Sequence, residues 1–470
     1  MPTPVSGSPP TGSFDAAAWQ DRLAELMRRH RVPGATLGLL HDGVITETAA
    51  GVLGTATGVE VTPESLFQIG SITKVWTTTL VMQLVDDGLL DLDAPIRTYV
   101  PEFRLADDAA AGSITARQLL SHQGGFEGDV FTDTGRGDDA IEKYIEAIAG
   151  LPQLFTPGEL FSYNNAAFSV LGRLVEVLRE DTWENLLVSR IAQPLGLTHV
   201  APSAYEAILF RAAVGHLGAG EDGVQMPAPV WALAKSNEPA GSMLAMRPRD
   251  LIGFAQMHLG DGVGANGTRV LSAESAQAMR TNHVDLPRLT GMGDAWGLGW
   301  EIIQTATPVV IGHDGGTIGQ SAFLRVVPEL GIAVAMLTNG GDVMGLFDDV
   351  VAPILKEAAG VTLHGLPVPP AEAVAVDAGP LVGFYSNSTI DLTVSVDDEG
   401  RIWVDSNPKG ILAEMGQTPE HTELVGYNAD SLITAAPAVQ QMHVVYSFLG
   451  EDEAGRRRYV HSGRAVARAD

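Results

Sequence analysis

Ser71-Ile72-Thr73-Lys74 sets a hydroxyl and an amine three residues apart. Residues at i and i+3 share one face of a helix, so the two groups can meet. A serine at a helix start also feels the positive end of the helix dipole, which favours developing negative charge. Serine is a poor nucleophile without a proton acceptor in reach. Lysine accepts a proton only when neutral, a state favoured by burial and by nearby positive charge. Alone, a Ser-x-x-Lys pair is a weak signal. Its setting strengthens it, because Val75, Trp76 and Leu80 follow and an unpartnered buried ammonium is costly. Lysine is also scarce here, with five against 24 arginines.

Further groups can complete an acyl-transfer site. In Phe161-Ser162-Tyr163-Asn164-Asn165, a tyrosine and an asparagine lie two apart in a loop before a helical pattern. Tyr163 can share the Lys74 proton and pass it to a leaving group, while Asn165 can orient the lysine or a substrate amide. The same residues also suit a loop aromatic and a helix cap. Gly312-His313-Asp314-Gly315-Gly316 comes at a strand signal. There His313 can donate a hydrogen bond, bind a carboxylate or tune Tyr163, and Gly315 lets a substrate approach the backbone. The Gly316 N–H is expected to join that of Ser71 as an oxyanion hole. Trp231 and Trp296 are candidates for an acyl pocket, with a core role equally open. Arg456, Arg457 and Arg458, with Arg464 and Arg468 beyond, form a terminal basic cluster. If that region folds back over the cleft, Arg458 is the candidate for gripping a substrate carboxylate. His122, in Leu120-Ser121-His122-Gln123-Gly124-Gly125, reads as a structural hydrogen-bonding group.

The elements that must hold these groups follow from periodicity. Phe14 to Arg31 predicts an amphipathic helix, and Val32–Leu40 with Val44–Val52 predicts a hairpin. Apolar residues surround most of the Ser71–Val85 pattern, which predicts a buried central helix. Helical patterns recur at Thr115–Ser121, Asp138–Ala149, Ala166–Arg179, Trp183–Ile191, Pro248–Leu259 and Ser272–Thr281. Strand signals return at Trp300–Ile303, Val309–His313, Ser321–Val327 and Gly331–Leu337, and a helix at Val343–Ala358 closes the region. The glycine cluster Gly215–Gly223 reads as loop. This order describes an α/β domain over residues 15–359 whose sheet is closed by sequence-distant parts, with a mainly helical insertion at 91–290. Residues 1–14 are expected to be a flexible start, and the proline-marked 360–380 a linker. Over 381–470, β-rich stretches predict a small antiparallel barrel: Leu381–Tyr385, Ile390–Val396, Arg401–Val404, Ile411–Met415, His421–Gly426, Leu432–Ala435, His443–Leu449 and Arg457–Val466. Because every motif residue precedes the barrel, residues 1–359 alone are expected to retain slow turnover.

Composition narrows the chemistry. The 470 residues carry 57 acidic and 29 basic side chains, a formal charge of -28, which argues against nucleic-acid binding. With no cysteine there is no thiol nucleophile, disulfide or thiolate metal site, and no ligand spacing suggests zinc. No cofactor is expected. Gly-x-Ser-x-Gly and phosphate-loop patterns are missing. No apolar run approaches a membrane span, and Met1 to Ser13 lacks a signal-peptide pattern, so a cytoplasmic, non-membrane location is expected.

The three motifs, in this order, resemble those of the serine hydrolases related to penicillin-binding proteins and class C β-lactamases. Ser71/Lys74, Tyr163/Asn165 and His313/Gly315 match the family's Ser-x-x-Lys, Tyr-x-Asn and Lys/His-x-Gly positions, and the resemblance covers roughly Asp15 to Ala359. It implies a β-lactamase/transpeptidase-like domain, an antiparallel sheet plus a helical subdomain, and an acyl-enzyme on Ser71 with Lys74 and Tyr163 as base and acid. Histidine in place of lysine at 313 is similar to the family's esterases, aminopeptidases and acyl-transferring members, and argues against penicillin turnover. The leading expectation is hydrolysis of a small ester or amide. The alternative comes from the tail: members with a C-terminal lipocalin-like barrel look like standalone penicillin-binding-protein-type thioesterases, which take a carrier-bound peptide thioester onto serine and cyclise it.

Overall fold

Strand Gly34–His41 turns back through Asp42 and Gly43, both at positive φ, into strand Val44–Gly51, the geometry of a two-residue hairpin loop. The first strand is almost wholly buried, so its other edge must also pair, and it does so with Ile332–Thr338 from the far end of the region. In the computed structural model, which describes residues 16–219, 224–287, 291–414, 416–438 and 442–470, this pairing seeds one antiparallel sheet. Its order runs Val44–Gly51, Gly34–His41, Ile332–Thr338, Ser321–Val327, Val310–Gly316, Glu301–Ile303, Ala295–Trp296 and Val284–Asp285. Helices Ala16–Arg29 and Val343–Ala359 cover the outer face through Leu23, Met27, Phe347, Val350 and Ile354. The flexible start expected for residues 1–14 lies outside the described residues.

On the inner face stands helix Thr73–Asp86, buried from Thr73 to Leu84. Trp76 stacks on Phe254 with ring centroids 4.0 Å apart. Thr78 and Thr79 turn their hydroxyls back onto the carbonyls of Lys74 and Val75, which lets β-branched polar residues sit inside the helix without unpaired groups. Helix Asn165–Arg179 packs alongside, started by Asn164, whose side chain accepts from the Ala167 N–H.

Gly360 to Val382 carries no helix or strand and leads into a closed eight-stranded antiparallel barrel, Gly383–Ser386 through Ala465–Arg468. Leu392, Val394, Val404, Leu424, Leu432, Phe448, Val460 and Val466 are among its core residues. The count of strands agrees with expectation but their identities do not. Ile411–Met415 was expected to be a strand; Gly410–Glu414 is a helical turn, entered through Pro408 and a Gly410 at positive φ, and Met415 lies outside the described residues. Arg457–Val466 is two strands, Arg457–His461 and Ala465–Arg468, because Gly463 at φ +100° breaks the run. Within the Gly215–Gly223 segment, expected to be loop, His216–Ala219 is a strand that pairs with Val224–Pro227, and residues 220–223 lie outside the described residues. Among the described residues no helix is long and apolar enough to cross a membrane.

Candidate active site

Gly70–Ile72 forms a short 3-10 turn that feeds the central helix and brings Ser71 partly to the surface while Lys74 is completely buried. Lys74 Nζ lies 3.0 Å from Ser71 Oγ and donates to the Ala240 carbonyl at 2.6 Å. No carboxylate forms a salt bridge with it among the described residues. Burial drives its pKa well below the ordinary lysine value; Arg464 pushes the same way and Asp129 opposes. Burial thus favours the neutral form of the amine.

Tyr163 sits over this pair, its ring centroid 5.0 Å from Lys74 Nζ and its hydroxyl engaged with Ser71. Burial raises its pKa, so the phenol keeps its proton. The same desolvation disfavours the ammonium of Lys74 and the phenolate of Tyr163. His122 stacks on the Tyr163 ring at 4.3 Å and accepts the Asn164 N–H on Nδ1, which fixes the loop between Ser162 and Asn165. Its role is structural positioning of the tyrosine loop. Trp296 is buried and packs against Phe161, Tyr163, His122 and His313, behind the chemistry rather than along an acyl channel.

Gly315 and Gly70 are needed for close approach. A side chain at Gly315 would collide with the Ile69 carbonyl, and a Cβ on Gly70 would lie 2.5 Å from the Gly316 nitrogen. The backbones of 69–71 and 315–316 are thus in contact, with the Gly316 nitrogen against Gly70, the Ser71 nitrogen against Gly315, and open space in front of Gly316. His313 Nδ1–H donates to the Asp314 carbonyl at 2.6 Å, leaving Nε2 as a buried acceptor without a partner. Burial first, and Lys74 second, push its pKa down to about 3. This imidazole is neutral and offers no positive charge to a carboxylate.

The charge comes from the barrel. Arg464, in the turn at Gly463, lies 4.8 Å over the Tyr163 ring and pairs with Asp129 at 2.6 Å. Asp129 in turn accepts from Asn165 Nδ2 at 2.7 Å, so the amide oxygen is what Asn165 has left to offer. The barrel is fastened here by one backbone pair and two side-chain bonds: Tyr163 N–H to the Gly463 carbonyl at 3.1 Å, Ala465 N–H to Ser162 Oγ at 3.1 Å, and His461 Nε2–H to the Phe161 carbonyl at 2.7 Å. Arg458 stands apart, bound to Glu159 at 2.8 Å and stacked on Tyr459. Trp231 is also outside the cluster; its indole N–H bonds the Ala213 carbonyl and its own carbonyl receives Gln68 Nε2. Asp129 is the group that the sequence did not single out, and Arg464 stood there only as a member of the terminal basic cluster. For Arg464 a signal existed, a glycine interrupting a β-rich run beside an arginine.

A partly exposed serine beside a buried lysine and a buried tyrosine is an arrangement suited to a serine hydrolase. Residues 19–352 match the Beta-lactamase family, and the chain belongs to it. Penicillin-binding protein 4 of Amycolatopsis lactamdurans is 44% identical over 375 residues, 79% of this chain and 98% of that protein. Esterase EstB of Burkholderia gladioli is 27% identical over 384 residues, 72% of this chain and 94% of the esterase. The crystal structure of SurE with D-Leu is 30% identical with a TM-score of 0.77, spanning 97% of this chain and 99% of SurE, barrel included. The protein is a serine hydrolase of ester or amide bonds.

Proposed function

We propose that Ser71 forms the acyl-enzyme, with Lys74 as its base and Tyr163 as the acid. The observation that carries this reading is the buried, carboxylate-free Lys74 amine 3.0 Å from Ser71 Oγ. Lys74 takes the hydroxyl proton as Ser71 attacks the substrate carbonyl, and the N–H groups of Ser71 and Gly316 hold the oxyanion. Collapse expels the leaving group with the Tyr163 proton, which Lys74 returns to the phenolate. Water then repeats the sequence in reverse. Asn165 orients the substrate through its amide oxygen. His313 serves as a neutral acceptor, and with no lysine at that position penicillins are poor substrates.

A second reading is supported by the barrel. A fixed guanidinium at Arg464, and a relative solved with D-leucine across nearly the whole chain, favour a substrate with an amino-acid carboxylate or a D-configured residue. In that case the acyl donor is a carrier-bound peptide thioester and an amine, not water, resolves the acyl-enzyme with ring closure, a cytoplasmic activity. The eight-stranded barrel, lipocalin-like in its up-and-down order, then closes the cleft against water.

One experiment separates these outcomes. The enzyme is incubated in parallel with an aryl butyrate, a penicillin, and peptidyl thioesters ending in either an L- or a D-residue, and products are read by mass. Linear acid from the ester with intact penicillin supports hydrolysis. Product lighter by one water supports cyclisation, and rapid penicillin turnover contradicts the argument from His313.

A further inference from the structure

The Ser71 chemistry uses the inner face of strand Val310–Gly316. On its outer face, between helix Val343–Ala359, the segment Leu363–Leu366 and the barrel residues Tyr427 and Asn428, lies a cleft of about 770 Å³. That volume is in the range of small-molecule sites. Glu301 lines it and is only 4% exposed, yet its carboxylate receives no hydrogen bond among the described residues. The neighbouring Arg325 is already held by Asp314 at 2.5 and 3.0 Å and stacks on Phe347, and its Nε is a buried donor without a partner. Asp294 is committed to the N–H and hydroxyl of Thr305. Asp348, on the helix, faces the repulsion of Asp349 and Asp342. The described lining thus holds four carboxylates against one guanidinium. Burial raises the Glu301 pKa and the Arg325 charge only partly opposes it, so a cation donating to this carboxylate from the cleft would supply the hydrogen bond it lacks.

We propose that this cleft binds an organic cation, an ammonium on an apolar body, with the charge at Glu301 and the body against Ile303, Met344 and Phe347. A bare metal ion fits less well, because no three ligating side chains converge among the described residues. The site is separate from Ser71 but touches its machinery, since Asp314 both lines the cleft and accepts the His313 hydrogen bond through its backbone.

The test is calorimetric titration of the full chain with 2-phenylethylamine, against 3-phenylpropionate as the anionic counterpart. Saturable one-to-one binding of the amine alone is expected, weakened roughly tenfold or more in Glu301→Gln, as loss of a charged hydrogen bond requires. Met344→Trp, which fills the apolar part, should weaken it as well and serves if the glutamine variant does not fold. Binding should survive phosphonylation of Ser71. Failure of the amine to saturate, equal binding of the carboxylate, indifference to both substitutions, or loss on phosphonylation would each overturn the proposal; only the last bears on the catalytic cleft, and none alters the assignment of Ser71.

Discussion

Lys74 and Tyr163 are shifted in opposite senses by one cause, burial that disfavours ammonium and phenolate alike. Burial therefore favours a neutral amine and a protonated phenol side by side, the pair that the proposed base and acid require. Lys74→Arg should abolish acylation, because a permanently charged guanidinium cannot take the Ser71 proton; pre-steady-state bursts with an aryl ester measure this. Tyr163→Phe should cost about 10²-fold or more in kcat, the scale of a positioned proton donor, and a loss under about threefold would reduce it to packing. A lysine held low in the folded state binds its proton more tightly when unfolded. Stability therefore rises with pH from the lowered folded value up to the ordinary lysine pKa of ~10.4. Lys74→Met should remove that slope and raise Tm at pH 7 by at least about 1 °C, the equivalent of ~1 kcal/mol in a domain of this size. Differential scanning calorimetry across pH checks both. Residue types and spacing marked Ser71, Lys74 and Tyr163 as candidates, and the fold brings the three together. The Ala240 carbonyl and Arg464 were not, since they arrive from positions far along the chain and only folding brings them to the amine.

The element that most changes the site is the terminal hairpin, Arg457–His461 and Ala465–Arg468. Alternating β residues on both sides of Gly463 made it look like one strand, and placed Arg458, rather than Arg464, as the candidate cation. The turn at Gly463 ends one strand and starts the next, and the alternating period on its two sides does not reveal it. The long elements, by contrast, were legible because their periods are sustained: Pro248–Leu259 and Ser321–Val327 form as expected, to the residue. Short strands such as Val284–Asp285 show no period to read. Arg464→Met removes a positive charge near Lys74 and leaves Asp129 unopposed. The Lys74 pKa should then rise and the acidic limb of the kcat/KM profile move to higher pH, with part of the loss at pH 7 recovered by alkaline assay. A purely structural hairpin would lower activity without moving that limb.

At the scale of the molecule, the catalytic region and the barrel share hydrogen bonds at the tyrosine loop, from Phe161 to Tyr163. Composition and motif positions alone suggested that residues 1–359 would suffice for slow turnover; the shared contacts change that expectation. We predict that the truncated chain loses about 10²-fold in kcat, comparable to an ~1 Å misplacement of reacting groups. In the full chain, limited proteolysis should cut first between Val361 and Pro380, where no helix or strand protects the backbone. The nicked protein should stay associated and active through the interface. First cleavage within the barrel, or full activity of the truncated chain, would show that the two parts act independently.

The central claim, an acyl-enzyme on Ser71 formed through a neutral Lys74, is tested most directly by intact-protein mass spectrometry with a slowly released aryl ester, followed by peptide mapping. The account predicts a single acyl adduct on the peptide containing Ser71, absent from Ser71→Ala and from Lys74→Arg. An adduct on any other residue, or acylation of Lys74→Arg at the wild-type rate, would contradict it.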